Sequence, residues 1–408
     1  MVVVWASVPL ACAIASDVVG AQRTTVVKVL KLHPDGSEAW RHRLASWSDA
    51  NALAVDPAGR VTVIGSSIDG RATVARVAPN GSTEWTRALD HPTSIDDIAV
   101  DRAGNVALVG STNRASSGHA EGVVMALSAE GDMRWHRALG RVGGSRGATR
   151  VAVDASGDVI VLATDTRRGA LGDVTDLFVV RFDDAGDTAW QRRTVLTHGG
   201  SLELHGLELD AAGDLHLVGM ASGPFIDGAT LDVDWGASGF VLGRWPFLAR
   251  FDAGDTALTS VVQFGAAAGS TVRGPALDGD GHVWVVGGYL EHPGTDAPTT
   301  WRGYLRGQAA DGSVRWMREA GQGGPGLVFA AVASLPRGGG LVAAATTGTT
   351  DPDRIAPRDA PDAFVRAYTV DGDIAWTRPF RTGSGFRGVV DVAVDGEGNT
   401  FVLTRARP

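Results

Sequence analysis

A two-part phrase, repeated about seven times along the chain, constrains the fold more than any other feature. It is clearest at 97–137. The first half reads Asp97-Ile98-Ala99-Val100-Asp101-Arg102-Ala103-Gly104-Asn105-Val106-Ala107-Leu108-Val109-Gly110. The second reads Val123-Val124-Met125-Ala126-Leu127-Ser128-Ala129-Glu130-Gly131-Asp132-Met133-Arg134-Trp135-His136-Arg137.

The first half recurs as an apolar run ending in Asp, then Gly three positions later, then a second apolar run. The pairs are Asp56/Gly59, Asp101/Gly104, Asp154/Gly157, Asp210/Gly213, Asp278/Gly281 and Asp395/Gly398, with Leu335/Gly338 in a copy that has lost its Asp. The second half carries Trp four residues past a Gly: Gly36/Trp40, Gly81/Trp85, Gly131/Trp135, Gly186/Trp190, Gly312/Trp316 and Gly372/Trp376, with Gly254/Leu258 as the degenerate copy.

Each half reads as a hairpin. The runs are of strand length and rich in Val, Leu, Ile and Phe. In the turns between them, Asp bonds the downstream backbone and Gly takes the positive φ of a tight turn. Two hairpins make a four-stranded unit. Seven such units predict an all-β fold, a seven-bladed β-propeller of four-stranded antiparallel blades. The chain opens with a second half (25–44) and closes with a first half (389–404). The N- and C-terminal strands are therefore expected to share one blade and close the ring, with the C-terminal piece inside. On this reading 21–408 is a single propeller domain.

Three readings are open for residues 1–20. Residues 2–15 are apolar and uncharged, and Ala13-Ile14-Ala15 fits a small-x-small cleavage site, as in a secretory signal peptide. The segment also reads as a leftover strand on the first blade, or as the leader of a lipid-anchored Cys12. It is short for a membrane span, and no span is expected in the mature chain. Cys12 is the only cysteine, which excludes an intramolecular disulfide framework and a multi-cysteine metal cage. A formal charge of −9 argues against a nucleic-acid partner.

Length variation falls mainly between the second and third strands. Asp56 to Trp85 spans 29 residues, whereas Asp210 to Leu258 spans 48. In an up-and-down blade this places tight turns on one face of the disc and long loops on the other, where binding residues tend to sit. The longest loops, 220–246, 288–302 and 346–362, hold Asp232, Asp234, Trp235, Trp245 and Trp301. Tryptophan beside carboxylates suits a sugar or a peptide.

Arg stands two residues after the repeat Trp at Arg87, Arg137, Arg192, Arg318 and Arg378, on the same strand face. This predicts guanidinium stems lying along indole rings between blades. The repeated Asp residues lack the ligand density of a calcium loop and read as turn formers. No metal or cofactor is expected, and no nucleophile elbow, HExxH, P-loop or dinucleotide fingerprint appears.

One position departs from the pattern. Two residues before the repeat Asp stand Ala54, Ala99, Ala152, Ala276 and Ala393, with Ala333 in the degenerate copy, but one blade has Glu208. A carboxylate there needs a partner or water. His205, Arg150 and Arg273 are the candidate partners. The expectation is a Glu208–Arg273 pair with the Glu208 pKa held below its ordinary value.

Phrases such as Ala152-Val153-Asp154-Ala155-Ser156-Gly157-Asp158-Val159 and Phe178-Val179-Val180-Arg181-Phe182-Asp183-Asp184-Ala185-Gly186-Asp187-Thr188-Ala189-Trp190 resemble the bacterial SBBP-type β-propeller repeat proteins, over about 25–404. The resemblance implies an exported or envelope-associated protein and brings no catalytic residues. A weaker resemblance to quinoprotein propellers lacks the vicinal cysteines of their alcohol dehydrogenases. The expected function is a non-enzymatic binding or scaffold propeller, secreted or at the cell envelope. It is expected to be a monomer that holds a protein or glycan on its long-loop face. The alternative is a hydrolase or lyase acting on a polysaccharide through loop-face carboxylates.

Overall fold

The computed structural model describes residues 25–406, apart from 91–93, 114–119, 140–144, 170–171, 196–201, 223–229, 232–243, 255–256, 265–269, 292–299, 322–325, 349–361 and 383–387. It is a seven-bladed β-propeller with almost no helix. Blade 1 comprises Trp47–Val55, Val61–Ser67, Ala72–Val77 and Thr83–Ala88, hydrogen-bonded in that order. Blades 2 to 6 follow with first strands Ser94–Val100, Ser145–Val153, Leu202–Leu209, Thr271–Leu277 and Gly326–Ser334. The first strands touch one another in a closed cycle and form the inner ring.

Blade 7 joins the two ends of the chain. Val389–Val394 and Thr400–Ala406 are its inner strands, and Val26–Leu32 and Glu38–Leu44 its outer ones. Val26 pairs with Ala406 and the register runs unbroken to Leu32 opposite Thr400. The shared blade expected from the order of the repeat halves is therefore present.

Blades pack face to face through apolar side chains. Between blades 7 and 1, Val27, Val29, Phe401 and Leu403 meet Leu53, Val63, Ala75 and Val77, all buried. Burial of this kind between every pair of neighbours supplies the main driving force.

The turns behave as their residues require. Asp56 Oδ1 accepts from the N–H groups of Ala58 and Arg60, and Asp395 Oδ1 from those of Glu397 and Asn399. In the copy without Asp, a short 3-10 turn at Pro336–Gly338 takes over, and the Leu335 N–H reaches Gly340 O.

Among the described residues, the repeat Trp latches one blade to the next at five of the seven interfaces. The Nε1 groups of Trp40, Trp85, Trp135, Trp316 and Trp376 donate to the carbonyls of Pro79, Ala129, Asp184, Val370 and Pro34 at 2.7–3.1 Å. Each ring lies on the turn glycine of that neighbour. A Cβ on Gly131 would come within 2.9 Å of the Trp85 ring. The following Arg extends the latch: Arg87, Arg137 and Arg318 sit 5.6–5.9 Å from the Trp ring centroids and donate to Glu130, Ala185 and Asp371 carbonyls. Leu258 breaks the series, and nothing lies within 4 Å of where a Cβ on Gly312 would stand.

Candidate functional site

Every first strand carries a bulge at the same level. The register slips at Ala50/Ala52, Ile95/Asp97, Ala148/Arg150, Leu204/Gly206, Arg273/Ala276, Phe329/Ala331 and Val389/Asp391. A bulge bends its strand and re-aims side chains. Here it turns polar groups toward the axis. The central channel, about 400 Å³, is bordered at this level by Asp96, Asp97, Arg150, His205, Arg273 and Asp391, with Glu208 lower down. Because the first strand runs from the long-loop face to the tight-turn face, the bulges lie toward the long loops.

The first strand is also a sheet edge whose outward N–H groups need acceptors. Three blades supply one by the same device. Asp391 Oδ2 accepts from the Leu53 N–H and Asp97 Oδ2 from the Val151 N–H, both at 3.0 Å, and Glu208 Oε2 accepts from the Leu277 N–H at 2.6 Å. Each carboxylate reaches one blade onward round the ring. Glu208 does so one pleat nearer the tight-turn face.

The expected Glu208–Arg273 pair is not formed, and the expected fall in the Glu208 pKa is reversed. Glu208 is half-buried beside the channel, and among the described residues no cation pairs with it. Burial pushes its carboxyl up to about 8, against the smaller pull of the Leu277 N–H. Arg273 instead donates to its neighbour's carbonyl, Val272 O, at 2.8 Å and stands 3.4 Å from His205 Nδ1. Arg150 likewise donates to Thr149 O. Gly206 and Gly274 let blades 4 and 5 approach so closely that a Cβ on Gly206 would stand 1.5 Å from Gly274 O.

Burial also raises the other channel carboxyls. Asp391 is pushed up to about 7, with Asp97 adding to the rise and the Leu53 N–H opposing it. Asp97 and Asp96 are raised by burial and relieved by Arg150. The residues missed in the sequence, Asp96, Asp97 and Asp391, had a legible signal. Asp96 stands five places before the repeat Asp, where other copies have Ala330 or Val390, and Asp97 and Asp391 four places before it, where others have Ala52, Gly206 or Ala331.

Of the loop candidates, Asp232, Asp234 and Trp235 lie outside the described residues, as do residues 1–20. Trp245 belongs to the strand Arg244–Phe251 rather than to a loop. It is 9% exposed, which leaves little ring surface for a sugar. Trp301 is half-buried in the strand Thr300–Gln308, against Gly288. Neither borders the channel.

Asp278, Asp280 and His282 bring three ligand atoms together in one turn. Asp278 is already committed there: Oδ1 accepts from the Asp280 and His282 N–H groups, and Oδ2 meets His282 Nδ1 at 2.8 Å. The turn-forming role expected of the repeat Asp accounts for the cluster.

No family model and no curated protein matches the chain. Solved structures resemble it in fold. The WD40 domain of Neurospora crassa Pan2 is 12% identical, with 87% of this chain aligned to 88% of that one and a TM-score of 0.48. A Bacteroides caccae protein of unknown function is 10% identical, over 72% of this chain and 94% of that one, with a TM-score of 0.41. Synechocystis apocarotenoid oxygenase is 13% identical, over 81% and 71%, with a TM-score of 0.44. Likenesses at this level say nothing of function.

Proposed function

We propose that the protein is a non-enzymatic binding or scaffold propeller, exported to the bacterial envelope or exterior, which holds its ligand at the long-loop end of the channel. The observation that carries this reading is the set of aligned bulges, five of which present acidic or basic side chains to one cavity from the inner strands. Rigid elements hold a constellation of groups better than loops do. The apolar stretch at 2–15 and the SBBP-like phrases support export. A monomer with a glycan or protein ligand is the working form.

The alternative, a polysaccharide hydrolase or lyase, draws on one observation. Asp391 and Glu208, pushed up to about 7 and about 8, hold protons near neutral pH as a general acid must. Against it, both carboxylates are tied to a backbone N–H of the next blade.

Glycan and peptide arrays probed with the purified full chain, alongside turnover assays on the same glycans, separate the readings. Saturable binding without turnover supports the scaffold. Turnover abolished by Asp391→Asn overturns it. Fractionation of a tagged full-length chain tests export, and a chain found wholly in the cytoplasm would defeat that part.

A further inference from the structure

The charges at the bulge level are not scattered. Numbered back from the repeat Asp, Asp97, Arg150 and Asp391 are all at the fourth position and Asp96, His205 and Arg273 at the fifth. They form two arcs. Blades 7 and 2 present Asp391, Asp96 and Asp97, and blade 1 between them presents Asn51. Blades 3, 4 and 5 present Arg150, His205 and Arg273 in unbroken succession. Blade 6 closes the circle with Ala330 and Ala331. One side of a single channel mouth carries three carboxyls; the other carries two guanidinium groups and an imidazole, with Glu203 3.8 Å from the His205 ring.

The arcs sense each other. Arg150 relieves Asp96, Asp97 and Asp391, and Asp391 in turn offsets the burial of Arg273. Yet no direct ion pair joins the arcs among the described residues. Arg150 and Arg273 each use an N–H on the carbonyl just before them, which fixes the direction of the side chain. A guanidinium has five donors, and its fork suits a carboxylate. The cavity, about 400 Å³, is of small-molecule size. Low-dielectric walls strengthen any charge pairing inside it.

We propose that the channel mouth binds a zwitterionic small molecule, its carboxylate on the Arg150–His205–Arg273 arc and its ammonium on the Asp391–Asp96–Asp97 arc. A dipeptide or an ω-amino acid has this chemistry. The proposal rests on the binding reading above and goes beyond its glycan or protein ligand by assigning a small zwitterion to the channel mouth.

Calorimetric titration of the full chain with dipeptides and a length series of ω-amino acids tests it. Glutarate, anionic at both ends, and cadaverine, cationic at both ends, serve as single-sign controls, and a neutral disaccharide as a third. Binding of a zwitterion at least tenfold tighter than of every control, lost in Arg273→Gln and in Asp96→Asn, is the expected result. Thermal unfolding confirms that both variants are folded. Equal binding of a single-sign control, or no zwitterion binding by the folded parent, overturns the proposal. The two readings fail separately. Glycan or protein binding untouched by both substitutions keeps the scaffold and removes the zwitterion site. Zwitterion binding followed by turnover keeps the site and removes the non-enzymatic scaffold.

Discussion

Trp376 Nε1 donates to the carbonyl of Pro34 at 2.8 Å, across 342 positions of the chain. The same indole lies on the turn at Gly36. This is the ordinary latch between successive blades, but here the successor is built partly from the N-terminal hairpin. Trp376 thus closes the ring on the blade 6–blade 7 side. Trp376→Ala is expected to cost about 2 kcal/mol, through lost burial and a lost hydrogen bond. Urea unfolding measures it. A cost indistinguishable from zero would mean that the seam is held by the strand pairing alone.

Leu258 is the one repeat Trp position filled by leucine, and it leaves space over Gly312. In the other latches the indole donates to the residue two before the turn glycine, which here is Ala310. Leu258→Trp should therefore gain about 1 kcal/mol from a new hydrogen bond and buried ring surface. A raised melting temperature is the expected readout. A fall would show that the blade 4–blade 5 interface has relaxed into the gap.

The close approach of blades 4 and 5 makes Gly206 intolerant of any side chain. A Cβ would meet backbone, Gly274 O at 1.5 Å, which cannot rotate away. Gly206→Ala is expected to destabilise by about 3 kcal/mol, as overpacking does. Gly157→Ala is the matched control: its Cβ meets nothing within 4 Å, so it pays only for its φ of 91°. Equal costs for the two would contradict the contact.

Glu208 gives a pH signature. Its carboxyl is raised from 4.5 to about 8, so the folded state keeps a proton that the unfolded chain has released. The stability contributed by the neutral form is complete below about 4.5 and is lost as pH rises through about 8. Glu208→Gln keeps an acceptor for the Leu277 N–H and never ionises. At about pH 9 it should be more stable than the parent by on the order of 1–3 kcal/mol. The two should converge near pH 4.5. Asp96, Asp97, Asp391, Arg150, His205 and Arg273 also border the channel but are common to both proteins and cancel in the difference. A variant less stable than the parent at both ends would show that the carboxylate is stabilised as an anion.

The fold was legible because the repeat carries its own geometry: Asp and Gly mark the hairpins, and the order of halves marks the seam. The Trp–Arg stack was legible too, since two residues on one strand face must touch. The indole's hydrogen bond to the next blade was not, because the repeat shows which residues recur but not the carbonyl of a neighbour. Glu208 stood out against a row of alanines, and its place by the channel followed. Its electrostatics did not. Charge complementarity suggested Arg273, but the bulges at Leu204/Gly206 and Arg273/Ala276 put the two side chains at different levels. The equivalent bulges at Ile95/Asp97 and Val389/Asp391 bring Asp96, Asp97 and Asp391 to the channel, and no hydrophobic period announces a bulge.

The seam between Val26–Leu32 and Thr400–Ala406 also sets a timetable for synthesis. Lys28 O receives the Thr404 hydroxyl from 376 positions downstream. At roughly 5–20 residues per second, a ribosome takes on the order of 20–75 s to supply that partner. Through that interval Val27 and Val29, fully buried in the finished ring, sit on a hairpin with one open edge. Within the propeller, that hairpin is therefore the part exposed longest to wrong partners.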